Sequence, residues 1–85
     1  MKWGLVIANR AKRHHRRLPM EDREHIDRAL SEMVHDPLAG DVKFLRGSHG
    51  MLRRRIGDWR ILFELDREKR IILVTDVTRR GSNTY

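Results

Sequence analysis

The chain has 85 residues, no cysteine and a net charge of +7 from 19 Lys+Arg against 12 Asp+Glu. That length fits one small domain over residues 1–85, with a thin core, because a chain this short buries only roughly 60–65% of its unfolded surface. The composition excludes disulfide staples and thiolate metal sites, and no apolar run approaches the ~18 residues of a membrane span.

In chain order, the first apolar stretch covers residues 3–8, too short for a signal-peptide core with its cleavage site. We expect a cytoplasmic protein without a membrane partner, opening on a strand at 2–8. Asn9 is expected to cap a helix at 10–18. Its inner side would hold Ala11 and Leu18, with the ring edges of His14 or His15 between them, and Pro19 stops it. A second helix is predicted at 21–35. Ile26, Ala29, Leu30, Met33 and Val34 repeat there at amphipathic spacing, and Glu21, Asp22 and Glu24 in its first turn suit the helix dipole. Asp36-Pro37 ends it. After residue 40 the period becomes strand-like. Phe44 to Arg46 begins a strand, 47–50 is a loop, and 51–56, 59–65 and 70–78 read as strands, with a turn at 66–69. The order β-α-α-β-β-β predicts an α+β fold, with two antiparallel helices packed on one face of a small, mainly antiparallel sheet.

The arginines concentrate on one hairpin. Gly57-Asp58 between two strand-like runs marks a two-residue type II′ turn, which pairs Ile56 with Trp59, Arg55 with Arg60, Arg54 with Ile61 and Arg53 with Leu62. Alternation then sets Leu52, Ile56, Trp59, Ile61 and Phe63 on the helix-covered face and Arg53, Arg55, Arg60 and Leu62 on the other. Arg55 and Arg60, like charges directly opposite, repel unless an anion lies over them. Arg outnumbers Lys 15 to 4, and its planar fork suits phosphate. The plainer alternative is a solvated sheet face with splayed arginines, partly paired with Glu64 and Asp76. Arg54 falls on the apolar face, so it either snorkels past a helix edge or marks a bulge.

These residues resemble the RelE/ParE superfamily of toxins from bacterial and archaeal toxin–antitoxin pairs. The match runs along almost the whole chain. It begins with a strand holding Trp3, a helix from Ala11 to Leu18-Pro19 and a second helix ending in Asp36-Pro37. It continues through Lys43-x-Leu45-x-Gly47 and Arg53-x-Arg55-Ile56-Gly57-Asp58-Trp59-Arg60-Ile61-x-Phe63 to Val77-x-Arg79-Arg80 and Tyr85. The arginine block around Gly57-Asp58 is its most specific part. The resemblance implies the fold derived above and a cognate antitoxin partner in a toxin–antitoxin hetero-oligomer.

RelE-like members enter the ribosomal A site and cut mRNA without a metal or cofactor, the ribose 2′-OH attacking the adjacent phosphodiester. On that pattern the resemblance implies catalytic roles for Arg53, Arg55, Arg60, Arg79 or Arg80, and Tyr85. Arg46, His49, Arg13, Arg16 and Arg17 are further candidates for contacting RNA. Arginine cannot serve as the base, because its pKa exceeds about 12. Tyr85, His49, Glu64 or a ribosomal group is left for that task. His14, His15 and His35 match no zinc spacing. Two other readings stay open: a ParE-like inhibitor of DNA gyrase on the same fold, and a decayed toxin that only binds its antitoxin.

Overall fold

In the computed structural model, which describes residues 2–79, β1 (Gly4–Ile7) leads into α1 (Asn9–Arg16) and α2 (Met20–His35). Four strands follow: β2 (Asp41–Phe44), β3 (Leu52–Ile56), β4 (Trp59–Asp66) and β5 (Ile71–Arg79). They form one five-stranded sheet in the order β1-β5-β4-β3-β2. All pairings are antiparallel except β1 with β5. The α+β class stands as expected, with one more strand than the order β-α-α-β-β-β counts. The strand expected to begin at Phe44 instead ends there and forms the sheet edge as β2.

The helices differ from expectation at their starts. Asn9 is the first helical residue and Ala8 the cap position, held extended at φ −63° and ψ 152° with no side-chain cap. The cause lies in the sheet: the Ala8 N–H donates to the Val74 carbonyl at 2.9 Å, carrying the parallel ladder one residue past β1. Pro19 then caps α2, whose first turn carries Glu21 and Asp22. Ile26, Ala29, Leu30 and Met33 of α2 are buried. They pack with Leu52, Ile61, Phe63, Ile72 and Val74 into one core. Each large apolar side chain so buried contributes roughly 1.5–3 kcal/mol relative to exposure.

The hairpin register is the expected one, residue for residue from Leu52↔Phe63 to Ile56↔Trp59. Gly57 takes φ +54°, and the only described non-glycine residue with positive φ is Arg70. Positive φ at the first turn position alone is the type II′ pattern, which glycine adopts without strain. Arg54 resolves toward the helix edge. Its Nη2 donates to Glu32 Oε1 at 2.6 Å and its Nη1 to the Ala29 carbonyl at 3.4 Å, both on α2. Gly40, at φ +80°, leaves room for this guanidinium, since a Cβ there would lie 3.0 Å from its Cζ.

A bulge does occur, on β5 rather than β3. Leu62 pairs with Asp76 while Phe63 pairs with Val74, so Thr75 is the extra residue. Its hydroxyl donates to the Leu62 carbonyl at 3.2 Å. The bulge shifts the alternation of sides. Val74 and Val77 both turn into the core, at 0% and 4% exposure, and Asp76 between them is aimed at the opposite face. β1 pairs with β5 only as far as Val74, and α1 packs against β5.

Candidate nucleic-acid interface

Two lateral rows cross the face turned away from α2. One runs Thr78, Arg60, Arg55, Asp41 and the next runs Asp76, Leu62, Arg53, Lys43, each step being a register pair between adjacent strands. Neighbouring strands lie about 4.8 Å apart, so four cationic side chains on three strands share an area about 10 Å wide, with a carboxylate at each end of the pattern.

The four cations are not equivalent. Arg53 is 5% exposed, and its Nη1 donates to the Asp41 carbonyl oxygen at 2.9 Å and to Asp41 Oδ1 at 3.1 Å. Arg55 and Arg60 are half-buried. Among the described residues, Arg55 Nε and the Thr78 hydroxyl are buried without a hydrogen-bond partner, an arrangement that costs about 1–3 kcal/mol per group until something polar meets it. Arg79 pairs with Trp59 and sets its guanidinium 5.8 Å from the Trp59 ring centroid, at the hairpin end of the sheet. Arg80 and Tyr85, expected in the site, lie outside the described residues.

The Arg53 hydrogen bond, with the positive fields of Arg53, Arg55 and Lys43, holds the Asp41 carboxyl below its ordinary value of 3.8 despite some opposing desolvation. A depressed carboxylate pKa stabilises the fold above the unfolded value and ceases to do so as pH falls through the folded one. Below about pH 4, thermal stability of the wild type should therefore fall more steeply than that of Asp41→Asn, as read by melting curves across the acid range. Parallel curves would show that the pair contributes nothing.

Beside the rows lies a groove of about 700 Å³, lined by Arg10 and His14 of α1, by Arg17 just past its end, and by Asp76, Thr78 and Arg79 of β5. His14 Nδ1 meets Asp76 Oδ1 at 2.6 Å across its floor. Arg17, a candidate for contacting RNA, lines this groove together with Arg10. Arg13 and Arg16 instead line a separate cavity of about 580 Å³ shared with Asp27 and Leu30 of α2. Arg46 and His49 sit exposed in the loop between β2 and β3, at the end of the hairpin pair opposite Gly57. The structure does not bring them to the arginine rows.

On the plainer alternative of a solvated sheet face Asp76 would partly pair with the arginines; it is instead paired with His14. Neither periodicity nor motif signals that pair, since the two residues are 62 apart in sequence and meet only through the bulge and the placement of α1. No helix among the described residues is long and apolar enough to cross a membrane.

This strand order and helix pair are those of the RelE/ParE toxin fold. A chain of the RelBE2 toxin–antitoxin complex from Mycobacterium tuberculosis superposes with a TM-score of 0.83 at 23% identity, over 94% of this chain and 100% of that one. A chain of the archaeal RelE–RelB complex from Pyrococcus horikoshii gives 0.83 at 20% identity, over 95% and 98%. The YoeB/ParE toxin from Agrobacterium tumefaciens gives 0.77 at 18%, over 91% and 98%. No protein-family model matches the sequence, and no curated protein matches it.

Proposed function

We propose that this protein is the toxin of a type II toxin–antitoxin pair and acts in the cytoplasm as a ribosome-dependent mRNA endonuclease. The observation that carries this reading is the pair of cationic rows: Arg60 and Arg55 in one, Arg53 and Lys43 in the next, beside a groove of about 700 Å³. The shared fold with chains of toxin–antitoxin complexes supports it.

Cleavage by the ribose 2′-OH needs no metal. The 2′-oxygen attacks the adjacent phosphorus, the bond to the 5′-oxygen breaks, and a 2′,3′-cyclic phosphate remains. The pentavalent transition state carries more negative charge than the diester. Guanidinium groups fixed in advance at that point stabilise it selectively, each by roughly 3–4 kcal/mol where similar donors have been removed from other enzymes. Arg55 and Arg60 are the residues for this role. Arg53, held by Asp41, braces the row and supplies field. Arg79 over Trp59 and the basic outer residues of α1 attract the polyanion. The same net positive charge suits an acidic antitoxin segment.

Primer extension on mRNA from programmed ribosomes tests the reading. Cuts within the A-site codon, absent on naked RNA, are expected. Growth arrest without cuts would turn attention to DNA gyrase, and neither effect would leave a protein that only binds its antitoxin.

A further inference from the structure

We propose that His14 is the general base of the cleavage and that Asp76 is its positioning residue, a step that rests on the ribonuclease reading and supplies the group the arginines cannot. His14 Nδ1 lies 2.6 Å from Asp76 Oδ1. An ionised carboxylate only accepts hydrogen bonds, so Nδ1–H donates to it and the lone pair is left on Nε2. Asp76 is itself fixed, its Oδ1 accepting the Val77 backbone N–H at 2.8 Å. The Asp76 side chain is 13% exposed and that of His14 41%. A half-buried carboxylate orienting an accessible imidazole is the arrangement that prepares a base for proton abstraction.

Its place in the fold fits the task. Asp76 is the register partner of Leu62, two strands away from Arg53 and two residues along from the Thr78–Arg60–Arg55 row, on the same face. His14 reaches it from α1, where it shares the groove with Arg10 and Arg17. A phosphate held over Arg60 and Arg55 places its 3′-linked ribose over the groove. His14 Nε2 takes the 2′-OH proton, and the 2′-oxygen electron pair forms the new bond to phosphorus. The electron pair of the P–O5′ bond goes to the 5′-oxygen, which takes a proton from water. The resulting hydroxide removes the proton from the imidazolium, and the enzyme is returned unchanged.

The chain contains its own control. His15 Nε2 lies 2.7 Å from Asp27 Oδ1, but that pair is exposed and ties α1 to α2 away from the arginine rows. It is a histidine–carboxylate contact of the same kind, set beside Arg13 and Arg16 of α1 and apart from the rows on the sheet.

The test uses the full chain with programmed ribosomes under single-turnover conditions. His14→Ala is expected to slow cleavage by about 10²–10⁴-fold, the usual range for a positioned general base. Added imidazole should restore part of the rate, which a packing role would not allow. His15→Ala should cut within threefold of wild type. Asp76→Ala should slow the wild type at least tenfold and have no further effect in the His14→Ala background, because it acts through His14. A wild type that cuts beside a His14→Ala variant within threefold of it overturns this inference and leaves the ribonuclease reading standing. So does a slow His14→Ala that imidazole does not rescue, or additive effects of the two variants. A wild type that makes no cut at all overturns the ribonuclease reading and this inference with it.

Discussion

Arg60→Ala is expected to relieve growth arrest on expression and to slow cleavage of ribosome-bound mRNA by about 10²–10³-fold, while the purified protein stays folded. The rate effect follows from position. Arg60 stands between Thr78 and Arg55 in one row, and an oriented donor at a developing charge is worth roughly 3–4 kcal/mol, where each 1.4 kcal/mol is about tenfold. The stability effect should be small, within about 1 kcal/mol, because removing Arg60 also removes a like charge directly across from Arg55. Arg60→Lys should recover only part of the rate, since an ammonium keeps the charge but loses the planar fork. A folded Arg60→Ala that still cuts at the wild-type rate would remove the arginine row from the mechanism.

The hairpin register read correctly from sequence is the part of the candidate face fixed by local rules. Gly57 at the first turn position dictates a type II′ hairpin, and that turn alone determines which arginine faces which residue on β4. The inward placement of Arg54 followed from the same alternation. Its partner Glu32 did not, because the separation of 22 residues is bridged only when α2 lies over β3. β2 was misplaced for a physical reason: Asp41 to Phe44 is a four-residue edge strand, mostly exposed, so its alternation carries little apolar signal. With β2 misplaced, Asp41 could not be recognised as the partner of Arg53. The β5 bulge left no composition mark either, since Thr75 is an ordinary strand residue. Yet that one extra residue turns Asp76 to the arginine side and makes a pair with His14 feasible. Backbone irregularities and helix docking placed the dyad, whereas turn chemistry placed the cations.

Phe63→Ala should be the most destabilising single truncation on β4, and its comparison with Arg54→Met decides what holds the helices to the sheet. Phe63 is 0% exposed, lies between Leu52 and Val74 in register, and faces the core immediately behind the arginine rows. Truncating a buried Phe costs roughly 3–5 kcal/mol, against a total of about 5–15 for a typical domain. At about 4–8 °C per kcal/mol for a domain of this size, the melting temperature should drop by more than about 12 °C. Arg54 is also buried, at 8% exposure, but its Nε lacks a partner and its ion pair with Glu32 reaches a carboxylate 58% exposed. Desolvating that guanidinium offsets most of what the pair returns, and an apolar side chain of similar reach is often neutral or stabilising in such a place. Arg54→Met should therefore melt within a few degrees of wild type, or above it. If it melts as low as Phe63→Ala, the link from β3 to α2 is electrostatic. The shared core would then be the lesser support for the face that carries the arginines.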